Sequence, residues 1–247
     1  MPDQDFTGKV AIVTGASRGI GRVAALGLAK RGATVVGTAR NMDASPGTGG
    51  TLRETFEMIA AEGGKGLPIA GSITESAPVQ ALIDQTVAEF GRIDLLVNNA
   101  GVHPLVSITE MTDEAWTDMI AVNVTAVFLL TRGVVPVMKR QHFGHILGIS
   151  SAAGTRNPRA DQTGYAATKG AMDRMFHNLA HELKNDGIAV NVWQPGILAT
   201  DMNAHRPFAG EPVAVVEPSM MWLLAQTVGS MTGQNVLREE FGKTWGN

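Results

Sequence analysis

The sequence predicts one α/β domain over residues 1–247, a doubly wound fold with a central parallel sheet of about seven strands and helices on both faces. Short apolar runs alternate with amphipathic stretches along the chain, and such alternation is typical of a parallel sheet covered on both sides. No repeat, low-complexity block or linker-like change in composition divides the chain. Hydrophobic residues make up 44% and charged residues 17%, enough for a sizeable core and too few charges for a disordered chain.

The strands are predicted from short apolar runs and the helices from apolar residues spaced three or four apart. The predicted strands are Lys9–Thr14, Thr34–Thr38, a weak Leu67–Ala70, Asp94–Asn98, His145–Ser150 and Ala189–Trp193. The predicted helices are Ile20–Arg31, Thr51–Glu62, Ser76–Phe90, a long stretch Thr112–Gln141, and a helix that carries Tyr165 and runs to about Asn185.

Particular residues predict where these helices and strands end and where loops begin. Gly32 stops the first helix, since glycine is a favoured C-cap residue. Asn41–Gly50 is rich in Gly, Ser and Pro and is predicted to be a loop. The long helical stretch is expected to break near Asn123 and Pro136. The least regular region, Asp201 to Glu217, follows a strand's carboxyl end, where such sheets bind ligands, and predicts a substrate loop at about 198–217.

Bulk properties exclude several classes of function. A net charge of −3 and a pI near 6.1 give no indication of a nucleic-acid or anionic-membrane partner. The absence of cysteine excludes disulfides, thiol catalysis and CxxC zinc sites. The acidic, polar start is not a signal peptide, and no uninterrupted apolar run approaches the ~20 residues that span a bilayer. We expect a soluble, cytoplasmic protein.

A glycine-rich loop joins the first strand to the first helix, with the spacing Gly-x-x-x-Gly-x-Gly. Glycines let backbone approach a phosphate closely, and the following helix offers free N–H groups and the positive end of its dipole. An ordinary tight turn is the alternative, but the position after the first strand favours a dinucleotide site. The candidate residues are Gly15, Ser17, Arg18, Gly19, Ile20 and Gly21.

The end of the second strand indicates which dinucleotide binds. NAD-binding chains place an acid there for the adenosine ribose, whereas NADP-binding chains use arginine for the 2′-phosphate. This chain has Ala39-Arg40 and no carboxylate, and Arg18 could supply a second positive charge. The sequence therefore favours NADP over NAD, with a solvated strand-end arginine as the alternative.

Tyr165 is the only tyrosine and lies four residues before Lys169. In a helix this spacing places phenol and ammonium on one face, and a neighbouring cation lowers the pKa of a phenol from about 10. A tyrosine tuned in this way can transfer a proton near neutral pH. An accidental pair on a surface helix is the alternative for these two residues taken alone.

Taken together, these motifs resemble the short-chain dehydrogenase/reductase family, in its short single-domain branch, from Gly8 to about Val236. The loop Thr14–Gly21 is similar to the family's cofactor motif, and the Tyr-x-x-x-Lys pair to its catalytic pair. The similarity also includes Asn98-Asn99-Ala100-Gly101 after the fourth strand and Pro195-Gly196 followed by Thr200. The resemblance implies a Rossmann-type fold and a nicotinamide-dependent oxidoreductase.

The resemblance also implies an active site. The family's serine stands three residues before a glycine, which gives Ser151, fourteen positions before Tyr165, one more than the family pattern. We interpret the difference as an insertion in the Arg156–Gln162 loop, with Ser150 as the alternative serine. The supporting asparagine maps to Asn123.

The implied roles follow the family's chemistry. Ser151 polarises the carbonyl, Tyr165 is the general acid or base, Lys169 lowers the tyrosine pKa and holds the nicotinamide ribose, and Asn123 supports a water relay. The implied cofactor contacts beyond the glycine loop and Arg40 are Ser72, Ile73, Asn99, Ala100, Gly101, Tyr165, Lys169, Pro195, Gly196 and Thr200. The cofactor is NADP(H), with NAD as the alternative, and no metal is required.

Three hypotheses about activity remain open from sequence. The leading one is an NADP-dependent carbonyl reductase or secondary-alcohol dehydrogenase; the others are an NAD-linked alcohol dehydrogenase and a non-catalytic dinucleotide-binding protein. Family resemblance also implies a homotetramer or homodimer through Thr112–Gln141 and Thr163–Asn185.

Other side chains bear on the substrate. A partly apolar small molecule is suggested by Leu198, Met202, Phe208 and Trp222, while Met202, Met220, Met221 and Trp222 fit either an apolar lid or core packing. Arg156 and Arg159 fit either an anionic substrate or a solvated loop. The pair His177 and His181 lies away from the face of Tyr165, which argues against a zinc site.

Overall fold

A computed structural model describes residues 4–43, 49–156, 158–204 and 210–246. Its centre is one sheet of seven parallel strands in the order β3-β2-β1-β4-β5-β6-β7, with helices on both faces, which confirms the predicted fold class. The strands are β1 (Val10–Thr14), β2 (Thr34–Ala39), β3 (Lys65–Ala70), β4 (Leu95–Asn98), β5 (Gly144–Ile149), β6 (Ile188–Gln194) and β7 (Asn235–Leu237).

The helices divide between the two faces of the sheet. They are α1 (Gly19–Lys30), α2 (Leu52–Ala61), α3 (Ser76–Phe90), α4 (Asp113–Ile120), α5 (Ala126–Gln141), α6 (Thr163–Leu183) and α7 (Glu217–Leu224). One core layer packs Leu28 of α1, Ile59 of α2 and Met220 of α7 under the sheet. The other packs Ile83 of α3 and Phe176 of α6, together with residues of α5, over the opposite face.

The order of the strands creates a crevice at one place on the sheet edge. The chain moves outward from β1 to β2 and β3 on one side, and from β4 to β7 on the other, so the direction reverses between β1 and β4. These two strands pair in register, with Ile12 opposite Leu96. Ligands bind to open α/β sheets outside the carboxyl ends of the strands at such a switch point.

The long helical stretch changes its winding where the sequence predicted a break. Between α4 and α5, Ala121–Thr125 form one π turn that contains Asn123. The predicted break at Pro136 is wrong, because α5 continues through this residue to Gln141. The composite stretch is long and apolar enough to cross a membrane, yet Val134 and Met138 are fully buried in this fold. Buried core helices also meet this criterion of length and hydropathy.

The region after β6 is more regular than predicted. Short 3₁₀ turns form at Asp201–Asn203 and Val213–Val216, and α7 then begins at Glu217. The apolar residues of α7 surround the whole helix, so the sequence has no amphipathic period to indicate it.

The methionines of α7 belong to the core rather than to a lid. Met220 and Met221 are fully buried, and a β-carbon at Gly27 of α1 would lie 3.2 Å from the sulfur of Met221. Trp222 packs edge-on against Phe241 and Trp245 instead of entering the crevice. The lid interpretation is therefore wrong for α7. Phe208, a predicted pocket residue, lies outside the described residues.

Candidate active site

A cleft of about 1470 Å³ opens at the switch point, above the carboxyl ends of the strands. It brings together the glycine loop, the ends of β2 to β6 and the start of α6. The predicted site residues that line it are Gly15, Ser17, Arg18, Gly19, Ile20, Arg40, Ser72, Ile73, Asn99, Ala100, Gly101, Ser151, Tyr165, Lys169, Pro195, Gly196 and Thr200. Gly21 and Asn123 are not in this lining and lie behind the cleft wall.

The glycines of the first loop allow its chain segments to approach one another closely. Gly15 and Gly19 have φ of 66° and 56°, in the left-handed region that favours glycine. A β-carbon at Gly15 would lie 2.9 Å from Nδ2 of Asn99, and one at Gly21 would collide with the carbonyl oxygen of Gly15. The loop can therefore fold tightly enough to present its backbone to the cleft.

The beginning of α1 suits an anion. Arg18 precedes the helix in extended conformation, without a side-chain cap, and the first turn contains no acidic residue. The first N–H groups of a helix and its dipole favour a phosphate there. Arg22 fixes the loop from behind, donating from Nη2 to the carbonyl oxygen of Ser17 at 2.7 Å. These features fit the pyrophosphate of a dinucleotide.

Two arginines of the predicted cofactor site, Arg18 and Arg40, line the cleft. Arg40 is exposed, lines the cleft beside Ser72, and forms no salt bridge with any acid in the described part of the chain. Arg18 is partly neutralised, because its Nη1 lies 3.3 Å from Oδ2 of Asp201. The same oxygen accepts a hydrogen bond from the backbone N–H of Gly49 at 3.1 Å. Asp201 thus joins the glycine loop and the loop after β2 to the segment that follows β6.

The residues after β4 fasten the two central strands. Nδ2 of Asn99 donates to the carbonyl oxygen of Thr14 at 2.8 Å, and the hydroxyl of Thr14 accepts from the N–H groups of Asn99 and Ala100 at 3.0 Å each. This clasp holds the ends of β1 and β4 in register at the switch point. Asn99 therefore shapes the floor of the cleft through its side chain.

The tyrosine and lysine of α6 both lie inside the cleft wall, so they are not a surface pair. Tyr165 is 7% exposed and Lys169 is 5% exposed. Nζ of Lys169 donates to the carbonyl oxygen of Ile149 at 2.8 Å and lies 5.6 Å from the centre of the Tyr165 ring. Burial lowers the pKa of Lys169 to about 8, against an opposing effect of Asp173. Lys169 is therefore a weaker base than a solvent-exposed lysine.

Ser151 lies at the cleft because a short 3₁₀ turn packs tightly onto α6. Its hydroxyl accepts from the N–H of Ala153 at 3.2 Å and caps the turn Ala152–Gly154. A β-carbon at Gly154 would lie 2.8 Å from the backbone nitrogen of Gly170, so glycine is needed for this contact. Ser150 also lines the cleft, but only 3% of it is exposed. Ser151 is the more accessible hydroxyl.

The loop between Ser151 and Tyr165, where we interpret the spacing as an insertion, makes a sharp turn at one residue. Within it Asp161 has φ of 61°, a left-handed conformation that is uncommon for residues other than glycine. Its carbonyl oxygen accepts from the N–H of Val106 at 3.2 Å. The turn at Asp161 leads the chain back into α6.

Asn123 acts in this structure as a clamp. Its Oδ1 accepts from the N–H of Val102 and its Nδ2 donates to the carbonyl oxygen of Val102, both at 2.9 Å. Nδ2 also lies 3.1 Å from the hydroxyl of Thr168 on α6. The side chain ties the loop after β4 to the helix of Tyr165 and Lys169. A β-carbon at Gly101 would lie 3.3 Å from Oδ1 of Asn123 and 3.8 Å from Nζ of Lys169.

His103 is a site residue that sequence reasoning placed only loosely, among the loops around the substrate. Its ring stacks on the ring of Tyr165 and lines the cleft. The clamp on Val102 places it there. The only feature of the sequence that could have indicated this role is the position of His103, two residues after the Asn-Asn-Ala-Gly motif.

The other candidates from sequence divide between cleft and surface. Arg156, Arg159, Leu198 and Met202 line the cleft, whereas His177 and His181 are exposed on α6. Within the ranges that the structure describes, no three His, Cys, Asp or Glu side chains group closely enough to hold a metal ion.

Comparison with known proteins agrees with this geometry. A model of the short chain dehydrogenase family matches residues 9–208. The chain belongs to the short-chain dehydrogenase/reductase family. It is similar to 3-oxoacyl-[acyl-carrier-protein] reductase FabG of Escherichia coli strain K12, with 39% identity over 198 residues that cover 80% of this chain and 77% of the relative. The corresponding reductase of Synechocystis sp. has the same identity and coverage.

Solved structures of short-chain dehydrogenases/reductases have the same fold. A metagenomic short-chain oxidoreductase in complex with NADP is 34% identical, with a TM-score of 0.78 over 94% of this chain and 97% of that one. A short-chain type dehydrogenase/reductase from Mycobacterium marinum is 31% identical, with a TM-score of 0.84 over 95% and 94%. This short-chain dehydrogenase/reductase is thus an oxidoreductase of a family that binds a nicotinamide dinucleotide.

Proposed function

We propose that this short-chain dehydrogenase/reductase is an NADP(H)-dependent carbonyl reductase, which also acts as a secondary-alcohol dehydrogenase in the reverse direction. The observation that carries the proposal is the burial of Lys169 beside Tyr165 in the cleft, within a family of nicotinamide oxidoreductases. Burial disfavours the charged form of a lysine, and ionisable groups perturbed in this way cluster at functional sites.

The chain's own residues supply the proton and the electrostatics. Negative charge grows on a carbonyl oxygen as it is reduced, and donors already in place stabilise it. In this proposal Ser151 donates to that oxygen and Tyr165 gives it a proton. The ammonium of Lys169 favours the phenolate that remains, and in the oxidation direction this phenolate takes the proton of the alcohol. When bound, the nicotinamide supplies or accepts the hydride.

The residues that line the cleft suit each part of a nicotinamide dinucleotide. The glycine loop and the start of α1 would hold the pyrophosphate, with Ser72, Ile73, Asn99, Ala100 and Gly101 along the rest of the cleft. Pro195, Gly196 and Thr200 would flank the nicotinamide, and Lys169 would bind its ribose. Asn123 would support a water relay to Lys169, since Oδ1 of Asn123 and Nζ of Lys169 both border the space beside the α-carbon of Gly101.

Arg40 supports NADP over NAD. A guanidinium binds a phosphate in bidentate fashion, and the described residues offer Arg40 no acid that would compete for it. The NADP complex of the metagenomic relative agrees with this choice. The alternative, an NAD-linked alcohol dehydrogenase, is favoured by one observation, the neutralisation of Arg18 by Asp201.

The substrate is proposed as a small carbonyl compound with an apolar part. Leu198 and Met202 line the same cleft as the proposed catalytic residues, and Arg156 and Arg159 line it as well. The relatives named above reduce 3-oxoacyl groups, which belong to the same chemical class.

A homo-oligomer, a dimer or tetramer, is proposed through the helices α4, α5 and α6. Trp116 of α4 and Phe128 of α5 are 41% and 46% exposed, so both apolar side chains are accessible to a partner subunit. Sedimentation of the native protein and of Phe128→Glu tests this part: the variant should sediment as a smaller species.

The substrate class is tested by a panel of ketones, aldehydes, secondary alcohols and 3-oxoacyl thioesters, each with NADPH or NADH and their oxidised forms. Turnover is followed through the nicotinamide absorbance. The proposal predicts reduction of at least one carbonyl class with NADPH as the better donor. Tight binding of the dinucleotide with no turnover on any member would favour a non-catalytic binding protein instead.

A further inference from the structure

Asp173 is a partly buried acid that the proposed chemistry does not use. It lies on α6 four residues, about one helical turn, after Lys169. Side chains at this spacing are neighbours on one face of a helix. The residue is half-buried and does not line the cleft, so it lies behind the lysine, where a substrate cannot reach it.

Polar groups from the ends of the last strands hold the Asp173 carboxylate. Nδ2 of Asn235, at the start of β7, donates to its Oδ2 at 3.1 Å. Oδ1 of Asn235 in turn accepts from Nε2 of Gln194 at 2.7 Å. Gln194 ends β6, lines the cleft and directly precedes Pro195. One oxygen of the carboxylate, Oδ2, is therefore held by a hydrogen-bonded chain that reaches the cleft, while Oδ1 is buried without a hydrogen bond to any described residue.

The charges of Asp173 and Lys169 oppose the effects of their burial. Burial raises the pKa of Asp173, and Ser150, Asn235 and Lys169 act in the other direction. Burial lowers the pKa of Lys169 to about 8, and Asp173 is the charged group that raises it. Each residue thus favours the charged form of the other.

The other ionisable groups near Lys169 lie on the cleft side. Among the described residues they are Tyr165, whose ring centre is 5.6 Å from Nζ, His103 stacked on that ring, and Arg156 and Arg159 of the cleft lining. None of these carries a carboxylate. Glu239 and Glu240 also line the cleft, beside Gly196 rather than behind the lysine.

We propose that Asp173 is a positioning residue that keeps Lys169 in its ammonium form in the pH range where the enzyme works. The inference rests on the proposed function, because it matters for catalysis only if Lys169 assists Tyr165 and binds the cofactor ribose. Without the Asp173 carboxylate, the ammonium of Lys169 would lose its proton closer to neutral pH. Neutral Lys169 could then neither assist Tyr165 nor bind the ribose as a cation.

The direct test is a titration of Lys169 in the cofactor-free protein by NMR of isotope-labelled lysine side chains. The Lys169 signal is assigned through its loss in Lys169→Arg. In Asp173→Asn the Lys169 titration should move to lower pH by about one unit, since an opposite charge has been removed from its vicinity. Asp173→Glu keeps the charge and should restore most of the native titration.

A second readout is the pH profile of kcat/KM with NADPH. The alkaline limb of Asp173→Asn should move downward by the same amount as the titration, while the rate below pH 7 stays within about twofold of the native enzyme. Glu182→Gln is the matched control, because it removes one negative charge from an exposed position on the same helix. Its profile and its Lys169 titration should match the native ones.

A Lys169 titration that is unchanged in Asp173→Asn overturns the inference. Should that variant fail to fold, Asp173→Ser removes the same charge with a smaller side chain, and the same criterion applies to it. This failure is distinct from failure of the proposed function. If Tyr165→Phe abolishes activity while Asp173→Asn leaves the Lys169 titration unmoved, the tyrosine mechanism stands and only the role of Asp173 is lost.

Discussion

The imidazole ring of His103 lies stacked on the phenol ring of Tyr165, with the ring centres 3.9 Å apart and the planes inclined by 28°. The stack covers one face of the proposed acid–base residue and limits the tilt of its ring. It exists because Asn123 holds the backbone of Val102, the residue before His103, through two hydrogen bonds. The asparagine therefore acts on the tyrosine from behind the cleft wall.

His103→Phe keeps an aromatic ring at this position and His103→Ala removes it, so the two variants together test whether the stacked ring matters. Phenylalanine can maintain the stack, so kcat/KM should remain within about threefold of the native value. Alanine leaves the phenol free to tilt, and misplacement of a catalytic group costs roughly tenfold or more. Steady-state kinetics at saturating NADPH check this, with the Kd of NADPH as control. Equal rates for the two variants would contradict a positioning role for the ring.

Arg40→Asp should reverse or abolish the preference for NADPH over NADH. The substitution removes the proposed partner of the 2′-phosphate and introduces an acid suited to a ribose hydroxyl. We expect the ratio of kcat/KM for the two cofactors to fall by at least about tenfold, equivalent to about 1.4 kcal/mol. The control is Arg53→Asp, which makes the same substitution at an exposed arginine on α2 that does not line the cleft. An unchanged ratio would show that Arg40 does not select the cofactor.

Asp201→Asn should tighten the binding of NADPH. The native carboxylate pairs with Arg18 and accepts from the N–H of Gly49, so it competes with a phosphate for the arginine. Exposed ion pairs contribute up to about 1 kcal/mol, which corresponds to a gain of up to about fivefold in affinity. The Kd values of NADPH and NADH, measured by fluorescence, should diverge in the variant. Asp201→Glu should retain the native values.

His145 on β5 should contribute to the loss of stability in acid. Its ring is fully buried, and burial lowers its pKa from 6.5 to about 4. Nδ1 must carry the proton, because it lies 3.1 Å from the carbonyl oxygen of Gln226, while Nε2 accepts from Nδ2 of Asn191 at 3.3 Å. The unfolded chain takes up a proton at this residue below pH 6.5, whereas the native state does so only near pH 4.

The stability that depends on a neutral His145 is therefore full above about pH 6.5 and is lost as the pH falls towards 4. The difference amounts to about 3 kcal/mol across this interval. His145→Asn keeps a donor near Gln226 and cannot titrate, so its free energy of unfolding should depend less on pH between 6.5 and 4. Urea denaturation across this range measures it. Parallel curves for the native protein and the variant would contradict the assignment.

Much of the fold follows from local sequence patterns, and the exceptions have physical causes. The π turn arises where the polar Asn123 interrupts an apolar helix, so the predicted disturbance is real there. At Pro136 the same kind of prediction is wrong, because α5 is held against the sheet and tolerates the missing N–H. Helix α7 is not predicted, because apolar residues occur on all sides of it and leave no amphipathic period in the sequence.

The candidate site was predictable to the extent that it depends on motifs of fixed spacing. Tyr165 and Lys169 share a turn of α6, and the glycine loop follows β1, so chain order alone brings them to one sheet edge. The stack of His103 on Tyr165 and the chain from Asp173 through Asn235 to Gln194 join residues far apart in sequence. No local pattern records these contacts, since they depend on the order of the strands.

Tyr165→Phe tests the central claim most directly, since it removes one hydroxyl and little volume from the site. Its rate on the best carbonyl substrate is measured at saturating NADPH, together with the Kd of NADPH as a check that the cleft is intact. We expect the rate to fall at least about a hundredfold with the Kd within about twofold of native. A variant that binds NADPH normally and keeps more than about a tenth of the native rate would contradict proton transfer by Tyr165.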